Sequence, residues 1–101
     1  MPEIITAPRL QPLLQVERPK LHKVMLLNDD FTPREFVVLV LKAEFRMDEG
    51  RASRVMMTAH QRGACVVAVF TREIAEAKAT AATELARRRE YPLLFTTEPE
   101  E

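Results

Sequence analysis

Residues 26–36 read LLNDDFTPREF and join an apolar run to the start of a helix. The apolar run stops at Asn28, Asp29 and Asp30, and Thr32 followed by Pro33 is typical of a helix start that the threonine caps. Carboxylates before a helix are favourable in themselves, because the helix N-terminus carries a partial positive charge. The three polar residues therefore have two interpretations: a turn that caps the helix, or a site that receives a positively charged group.

Strands and helices follow one another outward from this stretch. Residues 20–27 predict a short strand between Pro19 and the turn, and residues 64–70, ACVVAVF, predict a valine-rich central strand. Residues 93–96 predict a last strand after Pro92. The order strand, helix, helix, strand, helix, strand (βααβαβ) predicts an α+β domain. Its small, three-stranded, mostly antiparallel sheet would have three helices packed on one face.

Three helices are predicted from apolar residues that recur at helical spacing. The first runs to about Arg46, the second starts after Asp48 and stops at Gly63, and the third follows Thr71. Their expected core-facing residues are, in order, Phe36, Val37, Val40, Leu41 and Phe45; Ala52, Val55, Met56 and Ala59; and Ile74, Ala77, Ala81 and Leu85.

The composition narrows the class of protein. The 101 residues suffice for one domain, and 47% of them are hydrophobic, which suits a globular core. The 15 basic and 15 acidic residues cancel, so we expect no binding to nucleic acid or membrane through overall charge. The single cysteine, Cys65, allows no internal disulfide and is expected to pack as a small hydrophobic residue. With neither an apolar run of about 18 residues nor a leader pattern, the expected location is the cytoplasm.

Four motifs lie within residues 20–96, namely VMLLNDDFTPREFV, MxxxHxxG, VFTREIAEAK and YPLL. Together they resemble the ClpS family, the adaptors of the ClpAP protease. The resemblance implies a non-enzymatic adaptor for N-end rule substrates, whose first residue is large and apolar, and it implies neither cofactor nor metal. The implied adaptor domain covers residues 20–101. Residues 1–19, with four prolines, predict a flexible N-terminal extension.

By the same resemblance, ten residues form a site for the first residue of a substrate. Those that would bind the free α-amino group and the first peptide unit are Asn28, Asp29 and His60, with Asp30 either lining the site or shaping the turn. A protonated amine has donors only, so its receptor must offer acceptors. The residues that would line the hydrophobic pocket are Thr32, Arg34, Val37, Met56, Ala59 and Leu93.

Two of these positions depart from the commoner family pattern. Arg34 stands where methionine is frequent, and Ala59 stands where valine is frequent. Alanine widens a pocket, and an arginine can lay its stem along an apolar rim while its head reaches water. We therefore expect Phe, Tyr or Trp to be preferred over Leu more strongly than in relatives.

The resemblance also implies partners. Glu73 and Lys78 match the surface that docks on the N-terminal domain of the ClpA unfoldase, and the extension would be fed toward that unfoldase. The substrates would be peptides or proteins that begin with Phe, Tyr, Trp or Leu, and the chain is expected to be a monomer. Two alternatives remain open. One is a small hydrolase or metal-dependent enzyme using Asp29, Asp30 and His60, and the other is a ribosome-associated interaction domain.

Overall fold

The structure is a computed structural model that describes residues 19–100. Strand β1 (Leu21–Leu27) is followed by helices α1 (Arg34–Phe45) and α2 (Glu49–Arg62), strand β2 (Ala64–Thr71), helix α3 (Arg72–Arg88) and strand β3 (Leu94–Pro99). This order confirms the predicted α+β fold. The predicted extension at 1–19 lies outside the described residues, apart from Pro19.

Within the described residues, the sheet has three antiparallel strands in the order β2–β1–β3. The central strand is therefore β1, and the prediction that residues 64–70 form it was wrong. A valine-rich sequence reflects fit to a pleated surface rather than depth in the sheet. Val66 and Val69 of β2 are exposed, whereas Val24 and Leu26 of β1 are fully buried.

The start of α1 differs from the predicted cap. Pro33 occupies the cap position, where its carbonyl accepts hydrogen bonds from the backbone N–H groups of Phe36 and Val37. Thr32 does not cap the helix, because its hydroxyl and its backbone N–H both donate to the carboxylate of Asp29. An aspartate placed two or three residues before free N–H groups competes for them in this way.

Helix α2 begins and ends where the sequence predicts. Asp48 Oδ1 accepts a hydrogen bond of 2.8 Å from Arg51 N, and Gly63 ends the helix at φ 93°, a conformation that glycine adopts readily. The predicted core residues of α1 and α2 are buried or packed against the core. No helix within residues 19–100 has both the length and the apolar character needed to cross a membrane.

The buried face of α3 lies one residue away from the predicted one. The helix buries Ala75, Ala79, Ala82 and Ala86 against the sheet. Of the predicted residues, Leu85 packs against the core, but Ile74, Ala77 and Ala81 are exposed. Both sets have helical spacing, so periodicity alone cannot choose between them. The observed face carries only alanine, which lets the helix lie close to the strands. Thr83 on the same helix contacts the sheet directly, because its hydroxyl accepts a hydrogen bond from Phe95 N of β3 at 3.0 Å.

Candidate functional site

The turn between β1 and α1 is organised by one carboxylate. Asp29 Oδ1 accepts hydrogen bonds from Phe31 N and Thr32 N, each at 2.8 Å. The hydroxyl of Thr32 also donates to this carboxylate, at 2.9 Å from Oδ2. Asp29 therefore stabilises the turn, as one interpretation predicted, but it does not cap the helix. Each carboxylate oxygen has two lone pairs, so Oδ2 keeps room for a further donor.

A backbone hydrogen bond ties this turn to the end of α2. Asn28 N donates to Gly63 O at 3.0 Å, although the two residues lie far apart in sequence. Gly63 in turn donates its N–H to Ala59 O at 2.7 Å and so closes the last turn of α2. The helix end that carries His60 is thereby held beside the Asn-Asp-Asp turn.

Arg34 and His60 connect the start of α1 to the end of α2. Arg34 Nη2 lies 3.1 Å from His60 Nε2, and both side chains are exposed. A guanidinium has donors only, so in this contact the imidazole nitrogen must be the acceptor. Sequence reasoning placed both residues at the site but gave no indication that they contact each other.

All ten residues of the predicted site line a single pocket of about 220 Å³. Of the ten, Ala59 and Leu93 are the most buried, at 2% and 3% exposed, whereas Asn28, Asp30 and His60 are exposed and form the rim. Two further lining residues, Leu26 and Leu27, were missed. They are the last residues of β1, directly before the turn, and this position was the signal that could have found them.

The pocket combines an apolar interior with a polar rim. A closed apolar cavity of about 150 Å³ holds a benzene molecule, so the volume here is sufficient for an aromatic side chain. The rim offers acceptor oxygens from Asn28, Asp29 and Asp30, which suit a ligand that has hydrogen-bond donors only. The arrangement can therefore bind a bulky apolar group with a cation directly beside it.

Glu73 and Lys78 lie on α3 and do not line the pocket. Glu73 is exposed. Lys78 is half-buried, and its Nζ donates a hydrogen bond of 2.9 Å to Glu44 O near the end of α1. An ammonium near a helix C-terminus is favourable because the terminal carbonyls carry partial negative charge. Lys78 therefore has a structural role that the sequence did not indicate.

The residues considered for a metal-dependent enzyme, Asp29, Asp30 and His60, all line the pocket. Among residues 19–100, no three side chains from His, Cys, Asp and Glu come close enough to hold a metal ion. Burial raises the pKa of the Cys65 thiol above its ordinary value, and this effect outweighs the lowering by Arg62. A protonated thiol is a poor nucleophile, and Cys65 packs against the core as expected.

Comparison with known proteins gives close matches over most or all of the chain. The family model of the ATP-dependent Clp protease adaptor protein ClpS matches residues 17–96. The ATP-dependent Clp protease adapter protein ClpS 2 of Mesorhizobium japonicum is 65% identical over 101 residues, which is 100% of both chains. The corresponding ClpS 1 of Bradyrhizobium diazoefficiens is 64% identical over the same full length.

A solved structure agrees in fold as well as in sequence. Agrobacterium tumefaciens ClpS2, determined bound to L-phenylalaninamide, is 65% identical to this chain. It superposes with a TM-score of 0.82, covering 82% of this chain and 100% of the Agrobacterium chain. The fold, the motifs and these matches agree, and the chain belongs to the ClpS family, the non-catalytic adaptors of the ATP-dependent Clp protease.

Proposed function

We propose that this adaptor binds the free α-amino group and the bulky hydrophobic first residue of N-end rule substrates and delivers them to the ClpA unfoldase of the ClpAP protease. One observation carries the proposal. A pocket with an apolar interior and an acidic rim contains all ten predicted residues. The ligand of the related Agrobacterium protein, L-phenylalaninamide, supports it, because that molecule joins a free amine to an aromatic side chain and an amide.

The rim residues would bind the amine and the first peptide unit. Asn28, Asp29 and His60 present acceptors, and Asp30 adds a second negative charge beside them. Hydrogen bonds that involve a charged partner contribute roughly 1.5–3 kcal/mol each. An acetylated N-terminus has lost its charge and most of its donors, so it would leave these acceptors without partners.

The interior would bind the first side chain. An aromatic side chain buries about 150–250 Å², which at roughly 25 cal/mol/Å² contributes about 4–6 kcal/mol. Together with two charged hydrogen bonds, and after the cost of ordering the peptide, this yields an affinity on the order of micromolar. One residue with its amine is therefore sufficient for recognition.

The decisive experiment is a calorimetric titration with two peptides that differ only in their N-terminus. We expect a peptide that begins with Phe and has a free amine to bind in the micromolar range. The same peptide with an acetylated N-terminus should bind at least about a hundredfold more weakly, because two charged hydrogen bonds are lost. Equal affinities for the two peptides would refute the proposed recognition of the amine.

The preference among first residues would follow from the shape of the pocket, to which Ala59 and the apolar stem of Arg34 contribute. Both line the pocket, and the small side chain of Ala59 leaves space at its buried end. We expect Phe, Tyr and Trp to bind more tightly than Leu. Titration of four peptides that differ only in the first residue tests this preference, and equal affinities for Leu and Phe would contradict it.

Delivery would use α3 and the N-terminal extension. Glu73 and Lys78 would dock on the N-terminal domain of ClpA, and Glu73→Ala is the sharper test because Lys78 also holds Glu44 O. We expect Glu73→Ala to weaken capture by that domain without changing peptide affinity. The exposed Glu35 on α1 gives a matched control, and Glu35→Ala should capture normally. Equal capture by both variants would argue against docking through Glu73.

The extension would engage the unfoldase. A chain that starts at Lys20 should bind peptide normally and fail to deliver it for degradation. If this shortened chain still supports degradation of a substrate that begins with Phe, the proposed role of residues 1–19 is wrong.

We further propose that the adaptor acts as a monomer in the cytoplasm, where a single unpaired cysteine suits a reducing environment.

A further inference from the structure

The contact between Arg34 and His60 uses an atom that the ligand also needs. Arg34 Nη2 lies 3.1 Å from His60 Nε2, and both residues line the pocket. Because the guanidinium can only donate, the lone pair of Nε2 is used in this contact. This contact requires the His60 tautomer that carries its ring hydrogen on Nδ1.

An N-terminal ammonium also has donors only. A ring nitrogen has one lone pair in the plane of the ring, so Nε2 cannot accept strongly from a guanidinium and an ammonium at once. Both groups are positively charged as well, and they would repel each other if held beside the same nitrogen. The amine and Arg34 therefore exclude each other at His60.

Resting on the function proposed above, we propose that Arg34 is a positioning residue that competes with the substrate amine for His60 Nε2. The free protein holds His60 through Arg34, and a substrate binds by displacing the guanidinium. This competition weakens every free-amine ligand by the same factor, whatever its first side chain. Only first residues that bury much apolar surface then reach a useful affinity.

This mechanism differs from an effect of pocket shape. A change in shape alters the ratio of the affinities for Phe and Leu, whereas competition at His60 leaves that ratio unchanged. Arg34→Met removes the competing donor and keeps an apolar stem at the rim. Arg54→Met removes the same charge from an exposed position on α2 that does not line the pocket, and so it is a matched control for net charge.

Calorimetric titration of these variants tests the competition. We expect Arg34→Met to tighten the binding of free-amine Phe and Leu peptides by the same factor, about three- to tenfold. Tenfold corresponds to about 1.4 kcal/mol, near the value of one exposed charged hydrogen bond. The acetylated peptide and the Arg54→Met variant should show no change. A gain for only one of the two first residues, or no gain, overturns the proposal.

Nitrogen-15 NMR of the imidazole rings reports the hydrogen bonding of each ring nitrogen directly, without any peptide present. With only two histidines in the chain, His22 serves as an internal reference. In the wild type, Nε2 of His60 should show the signal of an accepting nitrogen and Nδ1 that of a protonated one, and Arg34→Met should change this distribution. Identical His60 signals in the two proteins overturn the competition. If neither protein prefers free-amine over acetylated peptide, the proposed function itself is wrong and the competition fails with it.

Discussion

The Asp29 carboxylate stabilises the turn and is also proposed to bind the substrate amine, and two substitutions at this position separate the two roles. Three donors point at it, namely Phe31 N, Thr32 N and the Thr32 hydroxyl. Asp29→Ala removes the acceptor for all three, and we expect it to lower the free energy of unfolding by about 1–2 kcal/mol, since the turn is partly exposed. Asp29→Asn keeps an oxygen that can accept from the two N–H groups. We expect it to change the free energy of unfolding by less than about 0.5 kcal/mol.

The same asparagine variant should weaken peptide binding. A hydrogen bond from an ammonium to a neutral amide oxygen contributes roughly 0.5–1.5 kcal/mol, compared with about 1.5–3 kcal/mol for a carboxylate. The difference of about 1–1.5 kcal/mol predicts a five- to tenfold lower affinity for a free-amine Phe peptide. Binding of the acetylated peptide should be unaffected, because it does not bring a positive charge to the rim.

Calorimetry and chemical denaturation of both variants measure the two effects separately. Asp48→Asn is the matched control, because the Asp48 carboxylate also accepts from a backbone N–H at 2.8 Å but lies outside the pocket. Asparagine caps a helix about as well as aspartate, so this control should keep both stability and affinity. The reasoning fails if Asp29→Asn binds the free-amine peptide like the wild type, or if Asp48→Asn weakens binding equally.

Four further outcomes are expected. Thr83→Val removes the acceptor for an edge-strand N–H and should lower the melting temperature by roughly 4–8 °C, while the exposed Thr80→Val should leave it nearly unchanged in the same calorimetric scan. Lys78→Met removes the hydrogen bond to Glu44 O and should lower the free energy of unfolding by about 1 kcal/mol, seen as a lower midpoint in chemical denaturation. An unchanged midpoint would argue against a structural role. Ala59→Val fills part of the pocket and should lower the ratio of Phe to Leu affinity in paired titrations; an unchanged ratio would remove Ala59 as a determinant. The raised pKa of Cys65 predicts that a thiol reagent reacts more slowly with the folded protein at pH 8 than with a cysteine peptide, and equal rates would contradict it.

The pocket could be predicted because its residues belong to motifs of a known family. Asn28, Asp29 and Asp30 stand together in the sequence, and His60 and Ala59 stand in a second motif. Reasoning from the residues alone left both a turn and a cation site open for these three residues. The structure shows why both interpretations were reasonable, since the Asp29 carboxylate holds the turn and also lies at the pocket rim.

Other features could not be predicted because they depend on competition between nearby groups. Thr32 has the residue type and position of a helix cap, yet the stronger acceptor at Asp29 takes its hydroxyl and leaves Pro33 at the cap. The face of α3 depends on how closely a helix can approach the sheet. Ala75 is fully buried, whereas the larger Ile74 is 48% exposed.

Long side chains were the hardest to place from the sequence. Long side chains such as Arg34 and Lys78 can reach several acceptors. Which acceptor each one contacts depends on parts of the chain that are distant in sequence. Arg34 meets His60, and Lys78 meets the carbonyl of Glu44, in both cases across two helices. Neither contact leaves a local pattern in the sequence.

The hydrogen bond from Asn28 N to Gly63 O joins main-chain atoms only. Its formation does not depend on which side chains surround it, so substitutions around the opening can alter ligand preference while the alignment of the two segments persists. If the proposed function is correct, single substitutions around the pocket can therefore change the preference for first residues without moving these two segments apart. Arg34 and Ala59, which line the pocket, are positions where we expect such changes.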